Sequence, residues 1–337
     1  MRAWEVAGSF GLDNLRLAER ADPQPGPGEV RLRLRAASPN YRDLLMVRGE
    51  YDPRQPLPLV PCSDGSAVVE AVGEGVERCR PGDRVCPLFA PRWIAGEPTR
   101  ERVRATLGGP LDGTLAEAMV VPAEGVVPLP DYLTDLEAAT LPCAAVTAWS
   151  ALVTHGGVKA GDTVLVMGTG GVALFALQIA RLCGARVIAT SSSDEKLERA
   201  RALGAWEGIN YRAVPEWGRR ARQLTGGAGV DHVVELGGAE TLPQSLKAVR
   251  LGGTVSVIGV LSSQQAPLSV VPILMQQVRA QGILVGHRES FEAMLRAFAA
   301  HRLRPVVDAV FPFAEAPAAF HHLASGRHFG KIAIEIG

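Results

Sequence analysis

Residues 164–173 read VLVMGTGGVA, an apolar run that breaks into glycines and then becomes apolar again. Gly168, Gly170 and Ala173 fit the pattern G-x-G-x-x-G/A. In that pattern the first glycine permits a tight turn, the second lets backbone amides approach a pyrophosphate, and the third small residue lets a helix pack on the strand. The stretch therefore predicts a strand–turn–helix that binds a dinucleotide, and a purely structural glycine turn is the alternative. The predicted cofactor contacts at this turn are Gly168, Gly170, Gly171 and Val172.

The chain from Gly161 onward alternates short apolar runs with helical patterns. The strand-like runs are 163–167, 186–190, 207–210, 231–236, 254–259 and 282–286. The helical segments are 171–183, 194–203, 214–224, 240–249 and 270–278. This alternation predicts a parallel sheet with right-handed crossovers, and six strands fit the doubly wound Rossmann fold. The stretch between Thr163 and Ala180 carries no charge, but its central glycines favour a buried strand, turn and helix over a membrane span.

The first part of the chain, residues 1–127, has the pattern of short antiparallel strands. Arginine alternates with leucine in 28–38, and valine-rich pieces separated by glycines occupy 65–88. Small antiparallel β-barrels show this pattern. Residues 91–113 are polar and rich in turn formers, so we expect an extended loop there, either at a pocket mouth or as plain surface.

The C-terminal part, residues 287–337, shows one helical segment, FEAMLRAFAAH, and ends in the strand-like KIAIEI. We expect this final strand to return to the first domain. The predicted fold class is therefore α/β with two domains. The first covers residues 1–127 and is completed by 287–337, and the second is a nucleotide-binding domain over 128–286.

The end of the second predicted strand indicates which dinucleotide is bound. An NAD-specific site has a carboxylate about twenty residues after the glycine turn, where it binds the adenosine ribose. Ser191 and Ser192 hold that place, and Ser192 with Glu195 forms a capping box that assigns the nearby acids to the start of the next helix. Serine hydroxyls and Lys196 would instead bind a 2′-phosphate, with Tyr211 beside it. We therefore predict NADP (NADPH); a solvated Lys196 and an ordinary half-buried Tyr211 are the alternatives.

The composition excludes several classes of partner. Of the 337 residues, 47% are hydrophobic and 21% are charged, with 35 basic and 35 acidic side chains. This balance points to no nucleic acid and no membrane as a partner, and leaves a small-molecule substrate. Arg2 and Glu5 interrupt the apolar core that a signal peptide needs, and five irregularly spaced cysteines fit a reducing compartment. We therefore expect a cytoplasmic protein.

Five segments together carry a family resemblance: SPNYRDLLMVRGEY (38–51), SDGSAVVEAVGEGVERCRPGDRV (63–85), LPCAAVTAW (141–149), GTGGV (168–172) and HFGKIAI (328–334). With them, nearly the whole chain resembles the medium-chain dehydrogenase/reductase superfamily, in its zinc-independent, quinone-oxidoreductase-like branch. The resemblance implies a GroES-like β-barrel, a Rossmann domain inserted before the last segment of the chain, and a cofactor cleft between them. It also implies homodimers joined along the sheet edge carried by 282–286.

The same resemblance argues against a catalytic zinc ion. Zinc-dependent members place a cysteine where Asn40 stands and a histidine, in a His-Glu pair, where Ser63 and Asp64 stand. The third ligand position keeps its cysteine, as Cys143, and one thiolate cannot hold catalytic zinc, which takes three protein ligands. No cysteine occurs between Cys86 and Cys143, so the four-cysteine structural zinc lobe of some members is missing too. We therefore expect no bound metal, with Cys143 as a small buried residue.

Two polar residues are the candidate catalytic groups. Asn40 and Tyr51 match polar pocket positions of the family, so the resemblance implies that they donate hydrogen bonds to the acceptor oxygen on which negative charge develops. Tyr51 could also donate a proton. Arg42 and Asp43 stand beside Asn40, and we expect a structural ion pair there rather than a chemical role.

Three further residues are implied as cofactor contacts. Thr147 matches a position near the nicotinamide, although a helix hydroxyl bonded to its own backbone is the alternative. Val260, after the fifth predicted strand, would offer backbone groups to the carboxamide. His328 lies in a segment that passes near the cofactor in similar proteins.

These residues predict a zinc-free, NADPH-dependent oxidoreductase that transfers hydride to a small carbonyl-conjugated acceptor, of the quinone or enone type. Reduction of 2-enoyl substrates is the nearest competing activity, and alcohol dehydrogenase-like activity is a second one. A nucleotide-binding protein without turnover, acting as an NADPH-binding redox sensor, is the alternative from another class.

Overall fold

The structure is a computed structural model that describes residues 1–262 and 265–337. Its strands are β1 (Arg2–Val6), β2 (Leu15–Glu19), β3 (Glu29–Ser38), β4 (Asp64–Val72), β5 (Arg84–Pro87), β6 (Ala118–Pro122), β7 (Val126–Pro128), β8 (Thr163–Met167), β9 (Arg186–Ser191), β10 (Glu207–Asn210), β11 (Val230–Glu235), β12 (Val249–Val257), β13 (Arg279–Gly282), β14 (Val307–Pro312) and β15 (Lys331–Glu335). Its α-helices are α1 (Tyr41–Val47), α2 (Arg100–Arg104), α3 (Asp135–Ala138), α4 (Val146–Trp149), α5 (Gly171–Leu182), α6 (Asp194–Ala202), α7 (Trp217–Leu224), α8 (Leu242–Ala248), α9 (Val271–Met275), α10 (Arg288–His301) and α11 (Ala316–Ala324). Two π-helical turns, Leu141–Ala145 and Ser150–Thr154, flank α4.

The chain divides into two compact units. One contains Met1–Val146 and Gly286–Gly337, and the other contains Thr147–Val285. The segment 128–146, which the sequence pattern assigned to the nucleotide-binding domain, belongs to the first unit. The reason is local pairing: β7 hydrogen-bonds to β5, and α3 packs against β3 and β4.

The second unit contains a six-stranded parallel sheet, as predicted. Its strand order is β10-β9-β8-β11-β12-β13, and every neighbouring pair is parallel. All five residues of β8 are buried, as expected for a strand of a parallel sheet covered by its crossover helices. The strand order reverses between β8 and β11. In open α/β sheets, ligands bind beyond the carboxyl ends of the strands at such a reversal.

Two strands of this sheet lie at positions that differ from the predicted ones. β12 begins at Val249 rather than at residue 254, because Val249 already pairs with Val230 of β11. β13 covers Arg279–Gly282 instead of 282–286. Val285 has a left-handed φ of 48°, a conformation that a β-branched residue does not adopt in a strand. The apolar run after β13 therefore leaves the sheet.

The first unit is built on a mainly antiparallel sheet in the order β14-β15-β3-β4-β5-β7, with β6 also paired to β3. The final strand returns to the first domain as predicted, because β15 pairs antiparallel with β3, with Ile334 opposite Ala37. One apolar core joins β1, α1, α11 and β15 through Trp4, Leu44, Phe320 and Ile334. Residues from both ends of the chain thus share one core.

The C-terminal part contains more structure than predicted. The predicted helix is α10, but β14 and α11 follow it. α11 buries Ala316, Ala319, Phe320 and Leu323, which is the spacing of one helical face. Pro317 lies in its first turn, where proline is tolerated. The prediction of a single helix in this part was therefore wrong.

The uncharged stretch between Thr163 and Ala180 forms β8, the glycine turn and most of α5, as predicted. The segment 91–113 is largely irregular and contains the short helix α2. Across the described part of the chain, no helix is both long and apolar enough to cross a membrane.

Candidate functional site

The glycine turn lies between β8 and α5 at the carboxyl edge of the parallel sheet. Gly168 has a left-handed φ of 77°. A Cβ placed there would meet no atom within 4 Å, so backbone conformation rather than crowding favours glycine. Gly170 precedes α5, which begins with Gly171 and Val172. The first amides of a helix lack intrahelical acceptors, so this terminus can bind a phosphate. The predicted strand–turn–helix is confirmed, and its contacts with a nucleotide stay a prediction.

Burial of α5 holds the turn in place. Ala173, Leu174 and Phe175 are buried in its first turns. Gly184 follows the helix with a φ of 79°, and its amide donates to the carbonyl of Arg181 at 2.9 Å. The helix therefore ends at the predicted glycine.

The serines after β9 are arranged differently from the prediction. Ser193, not Ser192, precedes α6 as its N-cap, and its hydroxyl accepts from the amide of Lys196 at 3.3 Å. The capping box predicted from Ser192 and Glu195 is wrong, because the N-cap is one residue later, at Ser193, and the third helical residue is then Lys196 rather than a glutamate. The Ser191 hydroxyl is buried against this turn and accepts from the amide of Ser193 at 3.2 Å.

The other residues predicted to select the nucleotide lie on adjoining elements. Lys196 is in the first turn of α6. The amide of Tyr211, directly after β10, donates to the carbonyl of Ser191 at 3.0 Å, and the Tyr211 side chain is exposed. The Asp194 carboxylate accepts from the side chain of Asn210 at 2.9 Å. The end of β9 therefore presents hydroxyls near a lysine, while this nearby acid is bonded to the next strand.

A buried carboxylate that sequence analysis missed organises the loop after β11. Glu235 is fully buried at the end of that strand. It accepts from the amides of Gly237 and Gly238 at 2.8 and 3.1 Å and from the Thr241 hydroxyl at 2.6 Å, and the Ser245 hydroxyl also donates to it. A buried carboxylate is stable when several donors surround it. Glu235 therefore fixes the loop at the carboxyl edge of the sheet, beside the exposed segment that contains Val260.

Asn40 is placed in the first unit by the start of α1. It lies at the N-cap of the helix, and its backbone amide donates to the Asp43 carboxylate at 2.8 Å. Its side-chain nitrogen donates to the Ser63 hydroxyl at 3.2 Å. Its side-chain oxygen accepts from the Lys331 ammonium at 2.6 Å. Asn40 is therefore held on both sides of its amide group.

Lys331 is the second site residue that sequence analysis missed as a functional group. Only 4% of it is exposed. Its ammonium also donates to the carbonyl of Pro39 at 3.2 Å and lies 3.9 Å from the Asp64 carboxylate. Asp64 in turn accepts from the Ser63 hydroxyl at 3.0 Å. We call Lys331, Asn40, Ser63 and Asp64 the Lys331 network. The signal in the sequence was a lysine at the start of the apolar run KIAIEI, where a buried strand does not usually carry a charged side chain.

Burial strongly affects the acids and thiols near this network. Loss of hydration raises the pKa of Asp64 from 3.8 to about 6, although the Lys331 ammonium and the Asn40 amide oppose the shift. The Asp64 carboxylate also accepts from the backbone amide of Cys143 at 3.1 Å. Loss of hydration, together with Asp64, raises the pKa of the Cys143 thiol. Cys143 is therefore a neutral thiol, and it is partly exposed rather than buried as predicted.

These residues do not fit a catalytic zinc ion. Asn40 and Ser63 stand at two of the ligand positions that the resemblance implies, and Cys143 is a neutral thiol at the third. The Lys331 ammonium lies within 3.9 Å of Asp64, the remaining carboxylate. In residues 1–262 and 265–337, no three histidine, cysteine, aspartate or glutamate side chains are grouped as metal ligands. Catalytic zinc normally needs three protein ligands, and this donor set does not provide them.

Arg42 links α1 to the loop that follows α2. Its guanidinium donates to the Leu107 carbonyl at 2.7 Å and to the Thr106 hydroxyl at 3.0 Å, and it lies 3.4 Å from the Asp43 carboxylate. The expected structural ion pair with Asp43 is therefore present. Arg42 also lies over the ring of Tyr51, 5.2 Å from its centroid. The Tyr51 side chain is 50% exposed, which leaves its hydroxyl accessible.

The last two predicted cofactor contacts lie in different units. Thr147 is buried in α4, at the start of the second unit. His328 precedes β15 in the first unit, with its ring 6.4 Å from that of His322. Their contacts with a nucleotide stay predictions.

We expect the free energy of unfolding of the wild-type protein to fall as the pH rises from about 4 to about 6, and we expect Asp64→Asn to abolish this fall. The folded state holds the Asp64 proton to higher pH than the unfolded state, so the free energy of unfolding falls as the pH rises through this window. A pKa change from 3.8 to about 6 corresponds to about 3 kcal/mol. Urea unfolding across this pH range measures the effect, with Asp52→Asn as control, because the Asp52 side chain is 45% exposed. Parallel pH curves for wild type and Asp64→Asn would contradict the raised pKa.

Comparison with protein families covers both units. Residues 26–131 match the family described as alcohol dehydrogenase GroES-like domain, and residues 171–300 match the family described as zinc-binding dehydrogenase. The predicted pairing of a GroES-like domain with a Rossmann domain is therefore confirmed.

Curated relatives match along nearly the full chain. A zinc-type alcohol dehydrogenase-like protein of Schizosaccharomyces pombe is 43% identical, over 97% of this chain and 96% of the relative. An acryloyl-coenzyme A reductase of Metallosphaera sedula is 30% identical, over 93% of this chain and 94% of the relative.

Solved structures show the same fold. A Sinorhizobium meliloti 1021 protein assigned as an alcohol dehydrogenase has a TM-score of 0.93 and 47% identity, covering 99% of this chain and 98% of its own. An NAD-dependent alcohol dehydrogenase has a TM-score of 0.92 and 39% identity over all of both chains. A mycobacterial protein complexed with NADPH has a TM-score of 0.84 and 29% identity, again over all of both chains. The chain therefore belongs to the medium-chain dehydrogenase/reductase superfamily and is an NAD(P)-dependent oxidoreductase of that superfamily.

Proposed function

We propose that the protein is a zinc-independent, NADPH-dependent reductase of small acceptors whose carbonyl group is conjugated to a double bond or is part of a quinone. The observation that carries this proposal is the Lys331 network. At the positions where zinc-dependent members of the superfamily carry metal ligands, this chain has an amide, a hydroxyl and a neutral thiol, with a buried ammonium beside them. A reaction that needs hydrogen-bond donors rather than a Lewis acid fits these groups.

NADPH, when bound, supplies the hydride. The residues of the chain then have to stabilise the negative charge that develops on the acceptor oxygen, and positioned hydrogen-bond donors do this most effectively. The side-chain nitrogen of Asn40 has two N–H bonds, one of which is donated to Ser63. We assign the other to the acceptor oxygen. The exposed hydroxyl of Tyr51 is the candidate proton donor, and solvent is the alternative source.

The preference for NADPH rests on the residues at the end of β9. Ser191 and Ser193 supply hydroxyls, Lys196 is in the helical turn that follows, and Asp194 is bonded to Asn210. A 2′-phosphate is favoured by an ammonium and hydroxyl donors, and a ribose hydroxyl by a carboxylate. The relative solved with NADPH supports this choice. Another relative is an NAD-dependent alcohol dehydrogenase, so the preference for NADPH over NADH needs a direct test.

A second candidate substrate class is the 2-enoyl thioesters. The similarity to an acryloyl-coenzyme A reductase favours this class. Its chemistry is the same at the reacting atoms, because the thioester carbonyl also receives negative charge when hydride adds to the conjugated double bond. Simple alcohols and aldehydes lack this conjugation and would need a stronger electrophile at the oxygen.

We expect the purified protein to oxidise NADPH with quinones, enones or enoyl thioesters, and to act far more slowly on simple aldehydes. The loss of absorbance of the reduced nicotinamide measures the rate. Metal analysis of the same sample should find well under one zinc per chain, and prolonged chelation should leave the rate unchanged. Stoichiometric zinc, or activity confined to alcohols and aldehydes, would overturn the proposal.

Lys196→Ala should weaken NADPH binding by about tenfold to a hundredfold and leave NADH binding nearly unchanged. One charge-assisted hydrogen bond contributes about 1.5–3 kcal/mol, and about 1.4 kcal/mol is a factor of ten in affinity. Fluorescence titration with both nucleotides measures the ratio. The control is Lys247→Ala. Lys247 is an exposed lysine on α8, and its ammonium pairs with the Glu216 carboxylate. Equal losses for the two nucleotides in Lys196→Ala would refute the assignment.

We also propose a homodimer formed through the edge of the parallel sheet. β13 is the terminal strand of the sheet, so one of its edges has no neighbouring strand among the residues that the structure describes. Just before β13, α9 exposes Val271, Leu274 and Met275, with Leu274 at 74%, and Val270, which precedes α9, is also exposed. An unpaired strand edge next to exposed apolar side chains favours association with a second copy.

Leu274→Glu should therefore convert the dimer into a monomer in analytical ultracentrifugation, because it places a charge in the apolar contact. The control is Leu17→Glu, which changes an exposed leucine on β2 of the first unit. This variant should still sediment with the mass of a dimer. A wild-type monomer at high concentration would contradict the proposal.

A further inference from the structure

Lys331 has a position that stability alone does not explain. Its neighbours in β15, Ile332 and Ile334, are buried in the apolar core, and its ammonium is almost completely removed from water. Burial of a charged group costs several kcal/mol, and a well-packed apolar side chain at such a site is often as stable or more so. The salt bridge to Asp64 is long, at 3.9 Å. The shortest contact is with Asn40, at 2.6 Å.

The chemistry of the ammonium determines which way the Asn40 amide faces. An ammonium donates hydrogen bonds and accepts none, so the Asn40 atom beside it has to be the oxygen. The nitrogen is thereby turned away from Lys331 and towards Ser63. Ser63 accepts from this nitrogen and donates to Asp64, whose ionised carboxylate can accept hydrogen bonds but cannot donate them. The Lys331 network therefore runs in one direction, from a group that only donates to a group that accepts.

We propose that Lys331 is a positioning residue: it holds the Asn40 amide so that an N–H bond faces the acceptor oxygen, and it places a positive charge behind that amide. This inference rests on the reductase function proposed above. As negative charge develops on the acceptor oxygen, the Lys331 charge strengthens the donor character of Asn40. A cation belonging to the chain then serves the polarising purpose for which zinc-dependent relatives use a metal ion.

A merely structural Lys331, which only balances the nearby carboxylates, predicts a different result. In that case Lys331 and Asn40 affect the reaction independently, and their effects on kcat multiply. If Lys331 acts through Asn40, its removal has no further effect once the amide is gone. A double-mutant cycle separates the two cases.

The variants are Asn40→Ala, Lys331→Met and the double variant, measured with the best conjugated acceptor of the wild-type protein. We expect Asn40→Ala to lower kcat by about a hundredfold, the usual loss on removing one oxyanion donor. Lys331→Met should lower kcat by at least about tenfold, and the double variant should lie within about twofold of Asn40→Ala. The affinity for NADPH should not change. A double variant that shows the product of the single losses would overturn the inference.

Arg84→Met is the matched control for loss of a partly buried cation. Arg84 lies in the same unit and donates to Asp135 at 2.6 Å. We expect it to lower the thermal stability without lowering kcat. Equal losses of kcat in Arg84→Met and Lys331→Met would contradict a specific role for Lys331. Lys331→Arg, which keeps the charge and the donors, should recover part of the lost rate. If Lys331→Met does not fold, Lys331→Gln replaces it in the cycle.

The outcomes also separate this inference from the function on which it rests. A wild-type protein that oxidises NADPH with none of the conjugated acceptors overturns both. A wild-type protein that reduces them, with single-variant losses that multiply, leaves the function standing and overturns the role of Lys331 alone.

Discussion

An ammonium group removed from water has to find acceptors inside the protein, and this constraint connects distant parts of the first unit. Lys331 finds them in Pro39, Asn40 and Asp64. Those residues lie at the start of α1 and of β4, whereas Lys331 begins β15. The pairing of β15 with β3 brings these elements together, and the shared apolar core holds them there. The polar network is thus a product of strand pairing, and its orientation follows from the fact that one end can only donate.

The buried carboxylate of Glu235 in the second unit is stabilised by a different kind of partner from the buried ammonium of Lys331. In the described part of the chain, the groups that donate to the Glu235 carboxylate are backbone amides and hydroxyls. These neutral donors stabilise the buried carboxylate by hydrogen bonding alone. In the first unit, by contrast, the positive charge lies directly behind the proposed donor, Asn40. The two units therefore stabilise their buried charges with different partners: neutral donors surround Glu235, whereas carbonyl and carboxylate oxygens surround Lys331.

Much of the fold could be predicted from sequence, because it depends on local patterns. The turn at Gly168 needs a left-handed residue between an apolar strand and an apolar helix, and both signals are continuous in the chain. The N-cap at Ser193 was misplaced by one residue because three consecutive serines carry the same capping chemistry, and only the length of β9 distinguishes them. Lys331 and Glu235 were missed for other reasons. The importance of Lys331 comes from partners such as Asn40 that approach only through tertiary pairing, which no local pattern encodes. Glu235 bonds instead to nearby residues between Gly237 and Ser245, and the sequence pattern did not specify how the chain turns there.

The long separation between Asn40 and Lys331 also has a consequence for biosynthesis. They are 291 positions apart, and all of Thr147–Val285 is translated between them. Domains generally fold as units while the chain is still being made. The nucleotide-binding unit therefore leaves the ribosome with every strand of its sheet before Lys331 is incorporated. At that stage the glycine turn and the end of β9, where the coenzyme is proposed to bind, are already part of the chain, whereas the cation proposed to orient Asn40 is not.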